Sequence, residues 1–348
     1  MHNNKFKTMA VAAAALMSVL LTSCSNQVQQ TEKSRTAGEI SQTSAETTAE
    51  PTTQTSSGSS AEPTTAKPLD LVEDLSKYDL KDGDSLEQIV SKMESKYGID
   101  IVYGNDIRTE FKDENETLRA KPNTNDNEIA AALKDIDEGL NALPKGFIKQ
   151  LPYGKHKILK MYLTGPITID GVDRGGVPAF TSDSDEELYL TIEVLEQGVV
   201  NVPTVLHELT HIIDFKLHYD GIINEDDWSK LNPEGFAYDN SYGDSLAGKK
   251  DPKYCYTTDH YVGHNTDNSN DDIWFYYCYS KVNAYEDRAT MLENLVVYRI
   301  WNYEIAEGLY KCPHMKAKME YYLKLIEKDF AMNGSDRDSW ADAFRKIS

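Results

Sequence analysis

Residues 69–348 predict an α+β domain: a small twisted sheet in the first half, one long helix laid across it, and a helical second half. Three observations predict it. Short β-branched segments alternate with helical patterns early in the domain, a broadly apolar helix starts at Pro203, and from Ala284 onward helical spacing dominates.

The elements follow in order. Ser85–Tyr97 places Leu86, Ile89, Val90 and Met93 on one helical face, and Gly98 ends that helix before an apolar strand at Ile99–Tyr103. Asn127–Leu143 repeats the helical spacing with Ile129, Leu133, Ile136, Leu140 and Leu143, and Pro144 with Gly146 closes it. Ile158–Leu163 reads as a buried strand, Ala179–Thr181 as a short edge strand, and Glu187–Val194 as a strand by its β-branched alternation. Pro203–Leu217 is the central helix, with Asn201 as its N-cap candidate. Asn232–Asp272 is rich in Gly, Asn, Asp, Pro and Tyr and reads as a long irregular excursion. Helices at Ala284–Trp301 and Met315–Ala331 and a short Ser339–Arg345 segment complete the chain.

Residues 1–23 have the pattern of an export signal: Lys5 and Lys7 precede an apolar run, Met9–Leu21, too short to span a bilayer permanently. Leu21-Thr22-Ser23-Cys24 has the form of a bacterial lipobox, so lipid on Cys24 is expected to anchor the chain on the extracytoplasmic face of a cell membrane. Residues 24–68 are Ser, Thr, Glu, Gln, Ala and Pro with almost no large apolar side chain, a composition that cannot offset its ordering entropy, and they read as a disordered tether. The 21 Tyr and 4 Trp of the chain supply ample material for a core, and a monomer is expected. A formal net charge of −21 argues against nucleic acid, whose phosphates repel acidic surfaces. Besides Cys24 there are Cys255, Cys278 and Cys312, an odd number that allows at most one internal disulfide and lacks the close spacing of a structural zinc knuckle.

The chemistry concentrates in His207-Glu208-Leu209-Thr210-His211. Inside a helix the two histidines stand one turn apart on one face, where both imidazoles reach a single ion. Catalytic zinc needs such donors, one further protein ligand and an open position for water, and Glu208 is placed to take a proton from that water. The bland reading of the same residues is a helix with two ordinary histidines and a salt-bridging glutamate.

The third ligand has several candidates. His218 is out of register for a metzincin and reads as a surface or capping residue. Glu234, in Asn232-Pro233-Glu234-Gly235-Phe236-Ala237, resembles a zinc aminopeptidase signature that Pro233 interrupts. Asp259, His260 and His264 cluster in a polar loop and read as solvated or, at best, a second cation site. Glu286, in Tyr279-Ser280-Lys281-Val282-Asn283-Ala284-Tyr285-Glu286-Asp287-Arg288-Ala289, opens a helix expected to pack beside the histidine helix. Its acidic pair alone is a weak signal, since the helix dipole favours acids in a first turn.

Across Val205–Asp214 and Tyr279–Glu293 the sequence resembles the lethal-factor-like zincins, a family that spans anthrax lethal factor, Pro-Pro endopeptidases and lipoproteins with a Glu-Asp-x-Ala motif. The resemblance implies a zincin-like fold, a zinc metallopeptidase activity on peptide or protein substrates, His207, His211 and Glu286 as zinc ligands, and catalytic roles for Glu208 and Tyr279. Tyr279 stands seven residues before Glu286, where the family has the tyrosine that stabilises the oxyanion. Thr290 departs from the pattern, standing where the lipoproteins commonly carry a further glutamate, and the loop from Asp214 to Tyr279 is longer than in the toxin, so substrate preference does not carry over. The alternative is a non-catalytic surface lipoprotein that binds a ligand or cell-wall polymer and uses zinc for stability. The two-lobe alternation of a solute-binding lipoprotein is not apparent.

Overall fold

Helix α1 (Leu86–Tyr97) starts the ordered core because Ser85 and Gln88 form a reciprocal capping box, and it ends because Gly98 takes the left-handed conformation (φ 66°) and returns its N–H to Glu94. The computed structural model describes residues 74–112, 117–169, 172–173, 179–182, 187–242, 252–259, 262–264, 267–301 and 311–331. The expected signal, Cys24, the tether, His260 and the Ser339–Arg345 segment lie outside the described residues.

After α1 come β1 (Ile99–Val102), β2 (Glu110–Lys112), β3 (Thr117–Ala120), α2 (Asp126–Asn141), β4 (Leu159–Thr164), β5 (Ile167–Ile169), β6 (Val172–Asp173), β7 (Ala179–Ser182) and β8 (Leu188–Glu193). The second half holds α3 (Val202–Tyr219), α4 (Glu225–Ser229), β9 (Thr257–Asp259), β10 (Val262–His264), α5 (Ala284–Trp301) and α6 (Pro313–Asp329). The α+β class and the helical second half stand as expected. Central strand and helix positions agree with the sequence reading to within a few residues, which is the range over which helix ends fray.

The main sheet has the order β1-β4-β8-β7, with β1, β4 and β8 parallel and β7 antiparallel at the edge. β4 and β8 are buried on both faces, as parallel strands need to be. One face, through Leu159, Met161, Leu163, Leu188, Leu190 and Ile192, joins the core formed with the helices. The other carries Tyr162 and Tyr189 into a smaller core with Phe111, Leu118 and Ile167. That second core is roofed by an antiparallel sheet of order β2-β3-β5-β6, which the sequence reading did not anticipate. Its strands have two to four residues each, too short for a period-two pattern to register. The stretch read as irregular, Asn232–Asp272, also contains the hairpin β9–β10.

Helix α3 lies at the junction of the two halves, packed against α2, β7, α5 and α6. Its start is fixed by Asn201, whose side chain accepts from Thr204 N, with Pro203 in the first turn. Just upstream, Gly198 (φ 78°) presses the chain onto α2 so tightly that a Cβ there would meet the Glu128 carbonyl at 2.5 Å. The entry of the histidine helix is therefore pinned to the first half of the domain.

Candidate metal centre

From that start, His207 and His211 fall one turn apart and, with Glu208, are buried. The two imidazoles lie 4.9 Å apart between ring centres and are almost perpendicular (84°). His207, Glu208 and His211 each offer a ligand atom, and these atoms lie within 4.8 Å of one another.

Helix α5 brings the next donor. Asn283 Oδ1 accepts from Glu286 N at 2.9 Å and so fixes the first turn at Glu286. The Glu286 side chain is wholly buried, with Oε2 2.9 Å from His207 Nε2 and 3.6 Å from His211 Nε2. The expected glutamate is thus brought to both histidines, across 79 positions of sequence in the case of His207. Glu234 is exposed in a turn and is not brought to them. Asp259 and His264 lie on the β9–β10 hairpin, and their side chains fall outside what is described.

Burial alone would lower the basicity of His207, but hydrogen bonds to Glu286 and Glu293 outweigh it and hold its pKa well above the ordinary value. Burial likewise opposes the charge on Glu286, yet the neighbouring imidazoles of His211 and His207 hold its carboxyl far below the usual range. An ionised carboxylate in a dry interior needs a cation. Among the described residues Glu286 pairs with imidazoles and with no lysine or arginine, its Oε1 has no hydrogen-bond partner, and neither do the ring nitrogens of His211. Orphaned buried donor atoms of this kind, imidazole nitrogen and carboxylate oxygen without thiolate, suit a divalent metal such as zinc. The residues present fit that ion.

Glu293 escaped the sequence reading. It is buried, with Oε2 3.2 Å from His207 Nδ1. The available signal was its position seven residues after Glu286, two turns on along the same face of α5.

Tyr279 lies in the 3₁₀ turn Cys278–Lys281, just before α5. Its ring centre is 6.2 Å from that of His207 and it also stacks on Tyr277, so it borders the site while packing into the core. The turn is fastened to α5 by a 2.8 Å hydrogen bond between Ser280 Oγ and Thr290 Oγ1. Tyr285 instead stacks on His218 and lies under the Arg288 guanidinium.

The opposite side of α5 carries a second set of buried charges. Arg288 Nε donates to Asp214 Oδ2 at 2.8 Å, and its terminal nitrogens reach Glu225 at 2.8 and 3.1 Å. Tyr322 donates to Asp214 Oδ1 at 2.6 Å. Asp287 accepts from Lys318 and Tyr238, each at 2.8 Å. His218, expected at the surface or as a cap, belongs to this set: it lies mostly buried, 2.8 Å from Glu225 Oε1. The reason is the turn after α3, which folds α4 back over the helix end and gives the imidazole an acidic partner. Burial opposes ionisation of Glu225, but Arg288 and His218 prevail and push its pKa down to about 2. Cys255, Cys278 and Cys312 are free thiols, and burial pushes Cys312 up to about 12, away from reactivity.

No protein family and no curated protein matches the sequence. Among solved structures, the chain is similar to a candidate zinc-binding metallo-peptidase from Bacteroides caccae, with a TM-score of 0.42 and 13% identity over 77% of this chain and 95% of that one.

Proposed function

We propose that this chain is an extracytoplasmic zinc-dependent peptidase, anchored through lipid on Cys24, in which His207, His211 and Glu286 hold the ion. The observation that carries this reading is the meeting of Glu286 with both histidines in a buried place where it has no lysine or arginine partner among the described residues. When bound, zinc supplies a Lewis acid and lowers the pKa of a coordinated water.

The protein groups do the rest. Glu208 takes the proton of the attacking water and delivers it to the leaving amine as the C–N bond breaks. The Tyr279 hydroxyl donates to the carbonyl oxygen as negative charge grows there. The expected edge strand, Ala179–Thr181, corresponds to β7, the antiparallel edge of the main sheet beside α3. An extended peptide adds to that edge by main-chain hydrogen bonds.

The decisive experiment is digestion of a peptide library by the zinc-loaded chain, read by mass spectrometry, with two variants. Glu208→Gln retains zinc and loses roughly two to four orders of magnitude in turnover, the scale of a general acid–base group. Tyr279→Phe retains zinc and stability and loses about a hundredfold. Unchanged turnover in Glu208→Gln rules out this mechanism, and a zinc-loaded wild type that cleaves nothing favours the non-catalytic lipoprotein. For the anchor, Cys24→Ala is expected to move the protein from the membrane to the soluble fraction, and an unchanged membrane fraction refutes lipidation there.

A further inference from the structure

We propose, resting on the metal-site reading above, that Glu293 is the positioning residue for His207: it accepts the Nδ1–H and thereby turns Nε2 toward the ion. The imidazole is held between two carboxylates of one helix. Glu286 Oε2 lies 2.9 Å from Nε2 and Glu293 Oε2 lies 3.2 Å from Nδ1. The seven-residue separation of the two glutamates is two turns of α5, so both leave the same face and straddle the ring.

The chemistry of the ring gives the contact its direction. An ionised carboxylate only accepts, so without an ion either nitrogen donates to the glutamate it faces, and when an ion takes the place of the Nε2 proton the nitrogen that faces Glu293 keeps its own. In a neutral imidazole the other nitrogen then presents its lone pair, and that nitrogen is the one beside Glu286 and His211. A carboxylate on the far nitrogen also raises the basicity of the ligating one.

His211 has no equivalent. Among the described residues its Nδ1 is buried without a hydrogen-bond partner, so the two histidines of the motif are not alike. Thr290, one turn after Glu286, is not available for the task either, because its hydroxyl is bonded to Ser280 and to the Asp287 carbonyl. Of the two histidines, Glu293 therefore stands behind His207.

The test is the zinc dissociation constant of the full chain, measured by competition with a chromogenic chelator. Glu293→Ala is expected to weaken zinc about 10- to 100-fold, the scale for a carboxylate behind a ligating histidine, while circular dichroism shows the metal-free chain still folded. Glu293→Asp recovers part of the loss, and Glu293→Gln, which keeps an acceptor oxygen without the charge, falls between Ala and wild type. If Glu293→Ala does not fold, the isosteric Glu293→Gln decides by the same measurement. A wild type that binds one zinc, matched in affinity by the Gln and Ala variants that fold, overturns this assignment and leaves the metal site standing. A wild type that binds no zinc overturns both.

Discussion

Glu286 and Asp287 are adjacent and both wholly buried, and the roughly 100° turn between successive residues of α5 sends them to different partners. Asp287 faces an amine and a phenol, Lys318 and Tyr238, and its neighbour Arg288 is matched by Asp214 and Glu225. Among the described residues Glu286 forms ion pairs only with imidazoles, which are cations only when protonated. One side of the helix, closed, sets its carboxylates against cations of the chain, though Asp287 Oδ1 makes no hydrogen bond there; the other, open, leaves imidazole nitrogens and a carboxylate oxygen for the proposed ion. The contrast separates what holds α5 in place from what α5 is proposed to hold.

The largest effect that sharpens this contrast is on the open side. Glu286→Ala is expected to abolish stoichiometric zinc binding, measured by metal analysis after dialysis, whereas Glu234→Ala leaves it intact; the reverse pattern would move the ligand role to Glu234. Next in size is the closed side. Arg288→Met leaves Asp214 buried without its guanidinium, and unfolding by urea is expected to show a loss of about 3–5 kcal/mol. If Glu286→Ala costs the metal-free chain as much stability as Arg288→Met, the division between the two sides fails.

The smallest effect is acid sensitivity. Glu225 has its pKa depressed from 4.5 to about 2, so its stabilisation is complete above about pH 4.5 and is lost as the pH falls through 2. Over that window it amounts to roughly 3 kcal/mol. Glu225→Gln removes this part of the acid limb, and unfolding free energies measured between pH 5 and 2 are expected to fall less steeply in the variant than in wild type. Parallel slopes would show that Glu225 is not strongly paired.

The central helix was legible because one-turn spacing of two histidines is a local pattern, and Pro203 with Asn201 marks its start. Glu286 was reachable only with the family resemblance, since an acidic first turn is common to many helices. Glu293 was not found: its place two turns after Glu286 gains meaning only when the His207 ring is seen between the two. The pairing of Asp214 with Arg288 spans 74 positions, and the burial of His218 depends on how α4 folds back; both are properties of packing alone. The second sheet was missed for a different reason, because strands such as Val172–Asp173 are shorter than the pattern that would reveal them.

The hydroxyl bridge between Ser280 and Thr290 ties the turn that carries Tyr279 to the helix that carries Glu286. The spacing of phenol and carboxylate is therefore set inside the second half of the domain, whereas the distance of either from His207 and His211 depends on how α5 sits against α3. In the proposed reading an ion held by residues of both helices would be a clasp as well as a reagent, because the packing of α5 on α3 that brings Glu286 to the histidines also sets Tyr279 beside His207.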